Sequence, residues 1–131
     1  MASFYVEGLA GPYELPGVYR YEGRSERMVH VLAMITAKPG RRADALEALR
    51  ANLPAVRAEE GCIEYGAATD ADAVGGIQTP IGPDSFVVIE KWASMDALKA
   101  HAAADHMKAY AARTKDPLAS RVIYVLSPAQ P

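Results

Sequence analysis

The side chains able to do chemistry gather in the second half of the chain. Glu90 and Trp92 stand two apart in the run SFVVIEKW. On an extended strand they project to the same side, so a carboxylate and an indole share one face. They suit the wall of a ligand pocket; equally, Trp92 is a large core residue and Glu90 the partner of a nearby Arg or Lys. His101 is followed one helical turn later by Asp105, close enough to orient an imidazole for proton transfer. The plainer reading leaves His101 on a helix surface. His106 and Tyr110, also one turn apart, suit one pocket wall, and Tyr65 on an earlier strand can donate a hydrogen bond to a bound oxygen. His30 lies in an apolar strand, where a buried imidazole must find a partner, so a structural or subunit-interface place fits it better than catalysis. Arg41 and Arg42, at a helix start, read as solvated.

The patterns of cofactor and metal chemistry are missing. No GxGxxG and no phosphate loop occur, because GRRADAL lacks the Lys-Ser/Thr pair, and there is no HExxH. His101 and His106 are five positions apart, about 140° round a regular helix, which denies one metal both rings from a single face. Cys62 is the lone cysteine. The sequence therefore implies neither cofactor nor metal.

Four strands and two helices are needed to position these groups. In MVHVLAMIT, Val29, Val31, Ala33 and Ile35 alternate with Met28, Leu32 and Met34 around His30, an apolar strand buried on both sides. Pro39 and Gly40 end it. Residues 41–58 place Leu46, Leu49, Leu53 and Val56 on one helical face, with Pro54 expected to kink or shorten the helix and Gly61 to close it. CIEYGAAT is a second strand, alternating Ile63, Tyr65 and Ala67 against Glu64. Residues 70–84 form a long loop, and SFVVIEKW is the third strand. Ser94 caps a second helix carrying Met95, Leu98, Ala102 and Tyr110, expected to break near Asp105. RVIYVL is the last strand. Residues 1–27 hold Phe4, Tyr5, Tyr13, Tyr19 and Tyr21 among six Gly and Pro residues, an arm expected to pack on its own domain or on a partner.

The order strand–helix–strand–strand–helix–strand specifies an α+β, ferredoxin-like βαββαβ domain over residues 28–131: a four-stranded antiparallel sheet with both helices on one face. The other face is apolar too, and bare it would be a sticky patch. The sequence thus predicts a homodimer joined through the sheet faces.

Composition narrows the class further. The 131 residues are 50% hydrophobic and 23% charged, with a net charge of −2. That is one globular domain with a real core, carrying no basic excess for nucleic acid or an anionic membrane. No apolar run approaches the ~20 residues that span a bilayer, and the opening stretch lacks the pattern of a signal peptide. With no internal disulfide possible, the expected location is cytoplasmic.

VHVLAMITAKPGRRADALEAL, then EEGCIEYG, FVVIEKWASMDALKAH and AADHMKAY together closely resemble the antibiotic biosynthesis monooxygenase family, from about Met28 to Leu126. The resemblance implies a ferredoxin-like subunit pairing as a dimeric α/β barrel. It also implies cofactor-independent oxidation of a quinol or phenolic aromatic substrate by molecular oxygen. It places Tyr65, Glu90, Trp92, His101 and His106 around a pocket, with His101 or His106 as proton acceptor and Trp92 as a stacking wall. Haem-degrading and aromatic-polyketide relatives use an asparagine on the first strand, whereas the sole asparagine here, Asn52, falls in the first helix, so the resemblance implies His30 as the first-strand residue that takes its place in binding substrate. A non-catalytic barrel binding a small apolar ligand, or an isomerase or decarboxylase with a histidine base, would use the same pocket.

Overall fold

The computed structural model describes residues 28–129; the expected aromatic arm over residues 1–27 lies outside the described residues. The chain runs β1 (Val29–Ala37), α1 (Arg42–Arg57), β2 (Cys62–Ala68), β3 (Ser85–Trp92), α2 (Met95–Ala103), α3 (Asp105–Thr114) and β4 (Leu118–Leu126). The strands form one antiparallel sheet in the order β2-β3-β1-β4, the ferredoxin-like arrangement.

The helices cover one face. Alternate residues of β1 and β3 are buried there, Val29 to Ala37 and Phe86 to Trp92. They close on Ala45, Leu49 and Val56 of α1, with Leu46 and Leu53 partly buried beside them. Pro54 does not end α1 early. It lies in the last turn, where its carbonyl still accepts the Ala58 N–H, and the helix continues to Arg57. Because proline lacks only its own N–H, the lost bond is the one to the preceding turn.

The alternation expected for β2 holds only in part. A register shift between Cys62 and Glu64 opposes three residues to two of β3, and the extra one, Ile63, is turned outward at 40% exposure. Tyr65, after the bulge, is buried opposite Glu90. Arg57 at the end of α1 donates from Nε and Nη2 to the Tyr65 carbonyl at 3.2 and 3.0 Å, which locks helix to strand.

The second helix is split. Ser94 caps α2 by accepting the Ala97 N–H at 3.1 Å. The chain then leaves helical geometry at Ala104 (φ −65°, ψ 143°) before α3 begins. Met95, placed on the apolar face by sequence, is exposed, whereas Leu98 and Tyr110 pack on the core. Neither arginine at the start of α1 is simply solvated. Arg41 bonds Asp44 and Asp116 at 2.6 and 3.1 Å, and Arg42 donates to the Gly82 and Ser85 carbonyls. The loop after β2 is pinned by Asp70, whose carboxylate accepts the N–H groups of Ile81 and Gly82 at 2.9 and 3.0 Å.

The face that the described helices leave uncovered carries His30, Leu32 and Met34 of β1, Val87 and Ile89 of β3, and Val122, Tyr124 and Leu126 of β4. No helix among the described residues is long and apolar enough to cross a membrane.

Candidate active site

Gly61 decides how close α2 comes to the turn after α1. It has φ +81°, and a Cβ built there would lie 2.6 Å from the Ala97 Cβ. Only glycine meets both demands. Its carbonyl accepts the Ala93 N–H at 2.8 Å, fastening the two segments together. This approach brings Glu59 of the turn against the histidines of α2 and α3.

Glu59 is the residue that sequence reading missed. Its Oε2 lies 2.7 Å from His101 Nδ1 and its Oε1 3.0 Å from His106 Nε2. The expected orienting group, Asp105, instead points to solvent and meets Lys108. The five-residue spacing that separates the two rings on a regular helix ceases to apply once the helix breaks at Ala104. Both rings then turn toward one carboxylate, with centroids 6.4 Å apart. A carboxylate oxygen only accepts, so the His101 hydrogen lies on Nδ1 and the lone pair of the neutral ring on Nε2. By the same logic His106 donates from Nε2; its Nδ1 is buried without a partner among the described residues.

His101 is 5% exposed and held on three further sides. The Trp92 indole packs against it at 4.6 Å between centroids and 32° between planes, and Tyr65 meets it edge-on at 5.4 Å. Its Nε2 faces Glu90 Oε1 at 4.0 Å, too far for a direct hydrogen bond. Glu90 Oε1 accepts the Trp92 Nε1–H at 2.9 Å. Burial raises the Glu90 carboxyl above the usual carboxylate range, opposed by the Trp92 hydrogen bond and by His101, with Glu59 pushing the same way as burial. Burial likewise raises the phenols of Tyr65 and Tyr110, keeping both as neutral O–H groups.

These side chains border a cavity of about 780 Å3 between the sheet and α2–α3, walled by apolar residues such as Val31, Val88, Leu98 and Ile123. Tyr65, Glu90, His101 and Tyr110 all line it. Trp92 does not; fully buried, it backs His101 instead of offering a face to the cavity. His106 stands behind Glu59, outside the lining. His30 is not brought to this site: it lies on the uncovered sheet face, opposite Lys91 and Leu126. Asn52 is buried between α1 and α3, donating to Met107 Sδ at 3.3 Å. No cluster of metal-ligating side chains occurs among the described residues.

Fold and site together define a ferredoxin-like α+β protein with a carboxylate-held imidazole at the wall of an apolar cavity. The model of the antibiotic biosynthesis monooxygenase family matches residues 28–113, and the chain belongs to that family. It is 37% identical over 103 residues, 77% of this chain and 98% of the relative, to the Escherichia coli K12 protein named "Probable quinol monooxygenase YgiN". Among solved structures it resembles PA3566 from Pseudomonas aeruginosa (TM-score 0.66, 26% identity, 79% of this chain and 96% of that one). It also resembles Rv0793 from Mycobacterium tuberculosis (TM-score 0.65, 27% identity, 79% and 97%).

Proposed function

We propose that this protein is a cytoplasmic, homodimeric monooxygenase that oxidises a small quinol or phenolic aromatic substrate with molecular oxygen and without a cofactor. The observation that carries this reading is the Glu59–His101 pair at 2.7 Å, which leaves Nε2 of a buried imidazole as a base at the wall of an apolar cavity. A deprotonated quinol is itself an electron donor. The balance closes for a quinol: one oxygen atom enters the ring, the other leaves as water, and all four electrons come from the substrate as it becomes a hydroxyquinone. The protein must bind the ring away from water, take a phenolic proton and hold the anion.

His101 Nε2 takes the proton, and Glu59 stabilises the imidazolium that results. The Tyr65 and Tyr110 hydroxyls, which burial keeps protonated, supply hydrogen bonds to the developing oxyanion, and Glu90 holds the Trp92 N–H behind the imidazole. Trp92 fixes the imidazole plane, and His106 holds the second oxygen of Glu59. Quinol oxidation is the activity in the name of the Escherichia coli relative.

Oxygen uptake and product absorbance with a panel of quinols and hydroxynaphthalenes test the reading. Acceleration over buffer that falls roughly 100-fold or more in His101→Ala is expected for loss of a general base. Ligand binding with no acceleration for any compound would leave a non-catalytic binding protein, and turnover without oxygen an isomerase or decarboxylase.

A further inference from the structure

The cavity is apolar in its walls but not at its edge. Four cationic residues line it from three directions: Lys99 on α2, Lys108 and Lys115 on α3 and its C-terminal end, and Arg121 on β4. All four are exposed, as groups at a cavity mouth must be. Among the described residues only Lys108 of these four has a carboxylate partner, Asp105 at 3.7 Å, and both of those side chains are largely in water. The lining's acidic group is Glu90, which is 6% exposed and turned toward Trp92 and His101 at the inner end. The charge is thus sorted by depth, with the acid–base pair inside and cations at the rim. A chain whose overall charge is −2 nevertheless presents positive charge around this one opening.

We propose that the ligand of this cavity is an amphiphilic aromatic acid, a hydroxylated ring system bearing a carboxylate, bound with the hydroxyl inward at His101 and the carboxylate outward among Lys99, Lys115 and Arg121. The inference rests on the reading of this cavity as the substrate site. A ring of exposed cations raises the local concentration of anions at the opening. It holds a carboxylate at the rim without desolvating it fully, while the apolar body gains from burial. The same charges leave the hydroxyl end the polar groups of the inner wall, His101 and Glu90 with the Tyr65 and Tyr110 hydroxyls beside them. Orientation follows from charge, and specificity from the distance between the two ends of the ligand.

The test is equilibrium binding, which requires no turnover. 2-Naphthol and 6-hydroxy-2-naphthoate share a hydroxylated ring system and differ by the carboxylate, which the acid carries at the end of the naphthalene opposite the hydroxyl. Titrated against the full-length protein with Trp92 fluorescence or calorimetry as readout, the acid is expected to bind roughly tenfold more tightly at about 20 mM salt. That advantage is expected to shrink to about twofold near 0.5 M salt as the exposed charges are screened. The double variant Lys99→Glu, Arg121→Glu is expected to reverse the preference. Equal affinities in low salt, a preference unmoved by salt or by charge reversal, or no binding of either probe would overturn the inference. Failure of every oxygen-uptake assay with the preference intact would overturn the oxygenase reading and leave the ligand class standing.

Discussion

Glu59 is the residue on which the proposed proton chemistry turns, because each of its oxygens serves a different imidazole, at 2.7 and 3.0 Å. A glutamine there has one accepting oxygen and one donating nitrogen, so one of the two rings must change tautomer or lose its partner. Glu59→Gln is therefore expected to lower kcat about 100-fold, with KM little changed and a displaced pH–rate profile. Kinetics across pH with circular dichroism as the folding control check it, and an unaltered kcat would remove Glu59 from the mechanism. Glu90 carries a different prediction. Burial holds its carboxyl above its ordinary 4.5, so the folded chain keeps a proton that the unfolded chain has released. Its contribution to stability falls as pH rises through the window above 4.5, and the cost is fully present at higher pH. The neutral amide introduced by Glu90→Gln would still accept the Trp92 N–H without that cost. The Glu90→Gln melting temperature is expected to exceed that of the unsubstituted chain by about 2–5 °C at pH 8 and to match it below about pH 4. Thermal melts at the two pH values decide this, and a stabilisation that does not vary with pH would assign the effect to packing alone.

At the scale of elements, strands and helix faces were legible wherever a two- or 3.6-residue period could speak. Phe86, Val88, Glu90 and Trp92 share a buried face as their spacing requires, and Leu49 and Val56 are buried as the helical stripe predicts. The site was legible by residue type but not by pairing. His101 was visible as a candidate base, yet its partner Glu59 lies 42 positions away, a separation no local period encodes. The one local signal was the glycine that follows the two glutamates of the turn, since φ +81° and a Cβ clash with Ala97 tie Gly61 to the approach of α2. The family resemblance implies Trp92 as a stacking wall, but the same volume serves to fill the core behind His101. Gly61→Ala should accordingly act on both fold and site. The positive φ and the 2.6 Å contact force the turn from α2, at an expected cost of about 1–3 kcal/mol. Denaturant unfolding measures that loss, and turnover should fall further than the unfolded fraction explains, because Glu59 moves with the turn. A variant as stable as the parent would mean that the turn and helix can part without consequence.

For the whole molecule, the helices leave one sheet face to be accounted for. Across its middle runs the row Gly66, Ile89, Leu32 and Tyr124, one residue from each strand, flanked by Val87, Met34 and Val122. On β4, Val122, Tyr124 and Leu126 are 50%, 51% and 42% exposed. At one end the face turns polar, with Glu64 and Lys91 paired at 3.1 Å beside His30. An apolar centre with a charged rim is the anatomy of a protein interface. Burying such a face returns roughly 25 cal/mol per Å2 of apolar surface. In the proposed two-fold dimer each substitution occurs twice, so one charge at the centre of the sheet places two in the interface. The intact protein is expected to show a light-scattering mass near twice the 14.0 kDa of the chain, and Tyr124→Glu a mass near 14.0 kDa. A monomeric mass for the intact protein at micromolar concentration would overturn the dimer. Tyr124 pairs with Leu32 on the uncovered face, whereas the cavity opens on the helical face through Ile123 and Val125. The monomeric variant is therefore expected to keep its affinity for 6-hydroxy-2-naphthoate. A parallel loss of affinity would instead show that the second subunit helps to shape the cavity.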